Sequence, residues 1–174
     1  DANGRMITRT YGSNTASYAY DPLDRLTEVV SGTTHVGFTY NGDGVRVGKR
    51  VDGTQIDYVQ DMAMGLPVIL MEITGGQNSR YLYGRDLIAN TQPDDNRRYY
   101  HTDGLGSVRS LTNEVGQCVV AYTYDAFGAP KGQADGIQES FSFAGEQTDL
   151  ELGLIYLRAR YYDPLLGRFI TPDP

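Results

Sequence analysis

Several groups of residues in this sequence have the types and spacing from which chemistry could be built. His101-Thr102-Asp103 sets an imidazole two residues from a carboxylate, on one face of a strand. Such a pair could orient a general base. The sequence places no nucleophile beside it, so it reads as a hydrogen-bonded structural pair. Gly104-x-Gly106 is half of a phosphate-binding fingerprint. It lacks the third glycine and the following helix, and reads as a turn. Asn41-Gly42-Asp43-Gly44 and Gln92-Pro93-Asp94-Asp95 are rich in oxygen, but neither has calcium-loop spacing or a distal bidentate glutamate. Two histidines and one cysteine are too few for a zinc site. No metal and no cofactor are therefore expected. Cys118 precedes two valines and reads as a small buried apolar residue rather than a nucleophile. The tyrosines could stack on carbohydrate, although tyrosine at alternate positions is also what a sheet face needs. Arg158, Arg160 and Arg168 gather near Asp163 and Asp173, and charges around a turn ordinarily serve structure.

The elements that must position these groups are short strands and tight turns. The 174 residues are enough for one domain with a real core. Tyrosine and glycine are abundant, at 14 and 21 residues, which favours many strands joined by many turns. A formal charge of -7 argues against a nucleic-acid surface, which needs a basic patch. The single cysteine allows no internal disulfide. The longest apolar run, Leu66 to Ile73, holds a proline and a glutamate and is too short to span a membrane. No signal peptide is visible at Asp1-Ala2-Asn3-Gly4-Arg5.

Aromatic strands recur along the chain. They appear at Tyr18-Ala19-Tyr20, Phe38-Thr39-Tyr40, Tyr58, Tyr81-Leu82-Tyr83, Tyr99-Tyr100, Tyr122-Thr123-Tyr124, Phe141-Ser142-Phe143 and Tyr161-Tyr162. The last aromatic of each falls about twenty residues after the one before, enough for two strands and two turns. On this register Tyr20, Tyr40, Tyr83 and Tyr124 hold equivalent, largely buried places, with Tyr58 in the same series. Several strands run into one kind of turn: Asp21 to Arg25, Asn41 to Gly44, Asp125 to Gly128, and Asp1 to Arg5 without its tyrosine. Asp or Asn opens such a turn by bonding backbone two residues on, and Gly44 or Gly128 closes it at positive φ. Ser31-Gly32, Asp52-Gly53, Gly75-Gly76 and Glu114-Val115-Gly116 are further turn signals. Gln147 to Leu157 comes closest to a helical pattern, but Gly153 opposes it and loop then strand is the reading favoured. The polar stretch Gln92 to Arg98 reads as a protruding loop.

At this point the chain resembles the YD-repeat or RHS-repeat proteins. The repeat is named for Tyr-x-Tyr-Asp-x-x-Gly-Arg. The second half resembles the RHS-repeat-associated core through Tyr99-Tyr100-His101-Thr102-Asp103-Gly104-Leu105-Gly106-Ser107 and Tyr122-Thr123-Tyr124-Asp125-Ala126-Phe127-Gly128. Phe143-Ala144-Gly145-Glu146-Gln147-Thr148-Asp149, Arg158-Ala159-Arg160-Tyr161-Tyr162-Asp163-Pro164, Gly167-Arg168-Phe169 and Asp173-Pro174 complete it. Gly104 stands where the family usually has histidine or asparagine, and Asp24 replaces the turn glycine of the first full repeat.

The resemblance implies an all-β fold of antiparallel hairpins forming a curved sheet, a segment of a spiral β-shell. Residues 1–98 would be hairpin repeats and 99–174 a core region truncated at its C-terminal end, in one continuous sheet. The implied function is structural: a wall segment of a secreted or surface RHS toxin that encloses a C-terminal effector. Its implied partners are the rest of that shell and the effector, with edge-to-edge self-association of the isolated piece. One alternative is an extracellular glycan-binding or adhesion module. Another is an incomplete self-cleaving element resembling aspartic proteases. Mapped onto this sequence, the family's site gives Arg160 and Asp173 as catalytic residues, with a second aspartate beyond Pro174 and no activity in residues 1–174 alone.

Overall fold

The computed structural model describes residues 1–63, 65–133 and 139–173. Its first thirteen strands form one open, curved antiparallel sheet, the wall, in strict chain order. They are β1 (Thr8–Tyr11), β2 (Asn14–Tyr20), β3 (Leu26–Ser31), β4 (Thr34–Tyr40), β5 (Arg46–Val51), β6 (Thr54–Asp61) and β7 (Val68–Thr74). β8 (Gln77–Tyr83), β9 (Leu87–Thr91), β10 (Arg97–Thr102), β11 (Val108–Thr112), β12 (Cys118–Tyr124) and β13 (Pro130–Gln133) follow. A 3-10 turn, Phe143–Gly145, leads into a second sheet, the leaf: β14 (Gln147–Asp149), β15 (Leu154–Leu157), β16 (Arg160–Asp163) and β17 (Arg168–Phe169). Residues 98 and 99 both lie in β10, so the wall runs through that point without a break, but the chain is not the one continuous sheet expected, because β14–β17 form a sheet of their own. Gln147 to Leu157 is strand, turn, strand, with Gly153 at φ +66 between β14 and β15.

Turn chemistry explains the meander. In six turns an Asp or Asn side-chain oxygen accepts the backbone N–H groups two and four residues on, at 2.8–3.1 Å. These turns open at Asp1, Asp21, Asn41, Asp103, Asn113 and Asp125. The fourth residue is left-handed: Gly44 has φ +80 and Gly128 φ +90. Asp24 holds the same place at φ +61 without a glycine. This is a type I turn closed by a bulge. Two-residue turns join the other ends of the early strands, as at Asp52-Gly53 and Gly75-Gly76, where all four φ values are positive. Gln92 to Asn96 is also a tight hairpin turn, because Asp95 takes φ +61, and not a protruding loop. The pairings β2/β3, β4/β5, β6/β7, β8/β9, β10/β11 and β12/β13 each carry a register shift, all on the same rim of the wall.

The structure corrects the repeat register. Tyr18, Phe38 and Tyr58 are the equivalent buried aromatics, each 7–8% exposed. Tyr20, Tyr40, Tyr83 and Tyr124 are only half-buried. Three of them donate their hydroxyls to a carbonyl one hairpin back: Tyr20 to Met6, Tyr40 to Leu26 and Tyr124 to Val108, at 2.7–2.9 Å. In the third repeat Gln60 takes that place and donates to the Arg46 carbonyl at 2.8 Å. Tyr58 therefore belongs with Tyr18, and Gln60 with Tyr20. A search for aromatics could not see a glutamine performing the tyrosine's hydrogen bond.

The leaf, and the stretch that leads into it, pack on one face of the wall through two cores. Tyr18, Leu26, Val29, Val36 and Phe38 of β2–β4 meet Leu154, Tyr156, Tyr161 and Ile170. Further along, Tyr58, Ile69, Tyr81, Tyr100, Val108, Leu111, Val120 and Tyr122 gather with Phe141. Each fully buried aliphatic side chain contributes roughly 1.5–3 kcal/mol. Main-chain hydrogen bonds tie both ends of this segment down: Met6, just ahead of β1, donates its N–H to the Ile170 carbonyl at 2.8 Å, and Val108 of β11 donates to the Ser142 carbonyl at 2.9 Å.

Two glycine substitutions separate the turn's two demands. A Cβ on Gly116, at φ +78, would meet nothing within 4 Å, whereas one on Gly128 would lie 2.5 Å from the Phe143 ring. Gly116→Ala is expected to cost about 1 kcal/mol through φ alone. Gly128→Ala should cost about 1–3 kcal/mol more by overpacking. Urea denaturation of both variants measures the difference.

Candidate functional site

Arg160 heads β16, opposite Leu157 across a two-residue turn that holds Arg158 at φ +59. Its Nη1 lies 2.8 Å from Asp173 Oδ1. The Asp173 side chain is 82% exposed and that of Arg160 21%. The two residues expected from the sequence are thus brought together, at the end of the leaf. Pro174, the second half of the Asp-Pro motif, lies outside the described residues. Arg160 does not neutralise Asp163. That carboxylate is fully buried, accepts the N–H groups of Leu165 and Leu166, and faces Arg9 of β1 at 3.1 Å. Arg158 pairs with Glu146.

Between leaf and wall lies a charged seam that the sequence reading missed. Arg46 is fully buried. Its Nη1 donates to Asp149 Oδ2 at 2.5 Å and to the Tyr161 hydroxyl at 2.8 Å, and its Nη2 donates to Gln147. Lys49 Nζ donates to Asp149 Oδ1 at 2.8 Å and to Glu151 at 2.7 Å. The Arg46 guanidinium sits among four rings, nearest Tyr156 at 4.2 Å, with Tyr58, Phe38 and Tyr161 at 5.3–5.7 Å. A second cluster forms where the segment leaves the wall. Glu139, 5% exposed, accepts from Arg98, Asn90 and Tyr100.

Burial alone would raise the Asp149 carboxyl, but Arg46 and Lys49 reverse this and hold it below the usual carboxylate range. Burial alone would lower the Lys49 ammonium, and Asp149 drives it up instead. Glu72 of β7 behaves oppositely. Its desolvation outweighs Lys49 nearby and pushes it up. The signal for the seam was in the repeat register. Met6 and Leu26 recur at twenty residues, and the next place is Arg46. Val29 is likewise followed by Lys49.

The other sequence candidates resolve into structure. His101 and Asp103 do not bond each other. His101 Nε2 lies 3.0 Å from Thr112 Oγ1, and Asp103 opens a turn, because a register shift after His101 separates them. Gly106, at φ +83, closes that turn. Asn41 caps its own turn, and Asp94 and Asp95 engage Asn96 and Arg80. Cys118 is exposed rather than buried, since a register shift between β11 and β12 turns it outward from buried Val120.

The wall of repeated hairpins, the Asp-opened turns and the C-terminal leaf recur in known proteins. A family model described as Teneurin YD-shell matches residues 53–174, and one described as RHS Repeat matches residues 1–36. The chain belongs to the RHS-repeat, YD-shell family. It is 33% identical over 168 residues to a tRNA(Glu)-specific nuclease WapA of Bacillus subtilis subsp. natto, covering 91% of this chain and 7% of that relative. It is 28% identical over 211 residues to double-stranded DNA deaminase toxin A of Burkholderia cenocepacia, covering 100% of this chain and 15% of the relative. Among solved structures, the TcdB2-TccC3 crystal structure superposes with a TM-score of 0.76 at 20% identity, covering 100% of this chain and 10% of that one. The Tc holotoxin pore of Photorhabdus luminescens gives 0.73 at 18%, covering 100% and 9%. This YD-shell chain thus spans a small fraction of the proteins it matches, and both superpositions agree with its fold.

For this YD-shell segment, Arg46→Met should cost about 3–5 kcal/mol, because it leaves Asp149 buried with one partner fewer. Asp149 binds its proton less readily folded than unfolded. Its contribution is therefore present above the unfolded pKa of about 4 and is lost as pH falls through the lower folded value. Asp149→Asn should flatten that acid limb in urea denaturation series at successive pH values.

Proposed function

We propose that this chain is a wall segment of a secreted or surface-displayed RHS shell that encloses a C-terminal effector domain. The observation that carries the reading is the open wall with a leaf fixed to one face by buried ion pairs. Among the described strands β1 and β13 are the two edges of this wall, at which further hairpins of the same shell can pair. Those edges also favour self-association of the isolated piece. Relatives that carry the segment as 7–15% of their length are named as a nuclease and a deaminase toxin, which supports an enclosed effector. The chain's negative charge fits a wall rather than a nucleic-acid contact. The test is protease protection in the full-length protein. The effector should resist trypsin until denaturant opens the shell, and cleavage at the rate of the free effector overturns the reading.

A second reading, self-cleavage, is favoured by the Arg160–Asp173 pair. The pair is solvent-accessible at Asp173 and bonded to no other described charge. In peptide hydrolysis one carboxylate takes a proton from water, whose oxygen joins the scissile carbonyl carbon. The other, protonated, carboxyl polarises that carbonyl, and a proton passes to the leaving nitrogen. Asp173 would supply one carboxyl, a residue beyond Pro174 the other, and Arg160 would hold the ionised one in place. In the full-length protein, Asp173→Asn and Arg160→Ala are each expected to leave the chain uncut by mass spectrometry. Normal cleavage in either ends this reading. The glycan-binding alternative would rest on exposed rings. Among the described residues those are Tyr11, Phe127 and Phe169, since the alternate tyrosines face the core. A glycan array decides it.

A further inference from the structure

We propose that Phe169 is a positioning residue that aims Arg160 at Asp173, an inference that rests on the self-cleavage reading. The Arg160 guanidinium carbon lies 3.7 Å from the centroid of the Phe169 ring, the shortest such approach among the cation–ring contacts of the described residues. No other carboxylate among the described residues lies within ion-pair distance of Arg160. An arginine on one exposed acid alone has many rotamers to lose, so a planar platform beneath it removes most of them. The platform is itself held. Phe169 meets the Tyr162 ring edge-on at 5.6 Å between centroids, and the Tyr162 hydroxyl donates to the Phe127 carbonyl at 2.9 Å. Phe127 belongs to the β12–β13 turn, and a Cβ on Gly167 would lie 3.1 Å from its ring. One hydrogen bond, one edge-on ring contact and one cation–ring contact therefore connect the wall's last described hairpin to the guanidinium, and β17 pairing sets Phe169 opposite Tyr162.

Three substitutions in the full-length protein separate a ring platform from simple packing. Phe169→Leu keeps apolar volume without a π face, whereas Phe169→Tyr and Phe169→Trp keep the face. Self-cleavage is followed by mass over time, with thermal melting recorded in parallel. Phe169→Leu is expected to slow cleavage roughly tenfold, the scale of a cation–π contact expressed as a rate. Phe169→Tyr and Phe169→Trp should cleave within about twofold of the parent. A parent-like rate in Phe169→Leu overturns the proposal. So does a Phe169→Tyr or Phe169→Trp variant that melts normally yet cleaves as slowly as Phe169→Leu. Asp173→Asn in the same series keeps the two ideas apart. If it cleaves normally the self-cleavage reading fails, whereas if it alone is inert and Phe169→Leu is not, only the positioning role fails.

Discussion

One buried ion cluster sets the relation between the two sheets. Arg46 and Lys49 reach from β5 to Asp149 of β14 across about a hundred residues of chain. A charge taken out of water is tolerable only where a partner and hydrogen bonds replace the lost hydration. Apolar packing of the leaf on the wall could slide by one repeat at modest loss, because Tyr18, Phe38 and Tyr58 present similar surfaces. The charges cannot slide. A shift of twenty residues would place Asp149 against Leu26 and Val29, with no cation to meet it. The cluster therefore selects one register among several that the hydrophobic pattern alone would permit, and the remaining leaf contacts follow from it.

How much of this was legible in the sequence follows from contact distance along the chain. The turns were readable because their chemistry is local. An Asp or Asn and a glycine three residues later suffice to specify the loop, and Gly44 and Gly128 take the positive φ expected. The all-β architecture was readable from alternation for the same reason. The twenty-residue register was read one step out of phase at Tyr58, because a hydrogen-bonding role passed from tyrosine to glutamine at Gln60. The pairings of Arg46 with Asp149, and of Arg9 with Asp163, had no local signature beyond a charged residue at an apolar repeat position. Arg160 and Asp173, by contrast, were named through family motifs and lie side by side. Their adjacency comes from the β16–β17 hairpin, a contact short enough for sequence to specify.

The leaf has two different surfaces. Its face toward the wall carries the buried charges and rings that fix it. Its other face, with Tyr162 and Phe169 beside Phe127 of the β12–β13 turn, is more exposed and holds the Arg160–Asp173 pair. Stability and candidate chemistry are thus physically separated within one small sheet. A wall that must hold its shape and a surface that must meet a substrate place opposite demands on burial, and the segment satisfies them on opposite faces of β16, with Tyr161 and Asp163 buried and Arg160 and Tyr162 on the other side.

The six register shifts on one rim have a geometric outcome. Each adds a residue to one strand of a pair without adding one to its partner, and each bends that strand and raises its twist. Six such additions on one side, against one on the other at β11/β12, give one border of the ribbon more backbone than the other. A ribbon with unequal borders cannot lie flat; it coils, as a pleated collar does when gathered along one hem. Curvature in this segment is therefore written into where its turns place their bulges. A longer run of the same hairpins would continue the coil with the same hand, without any template to wind around.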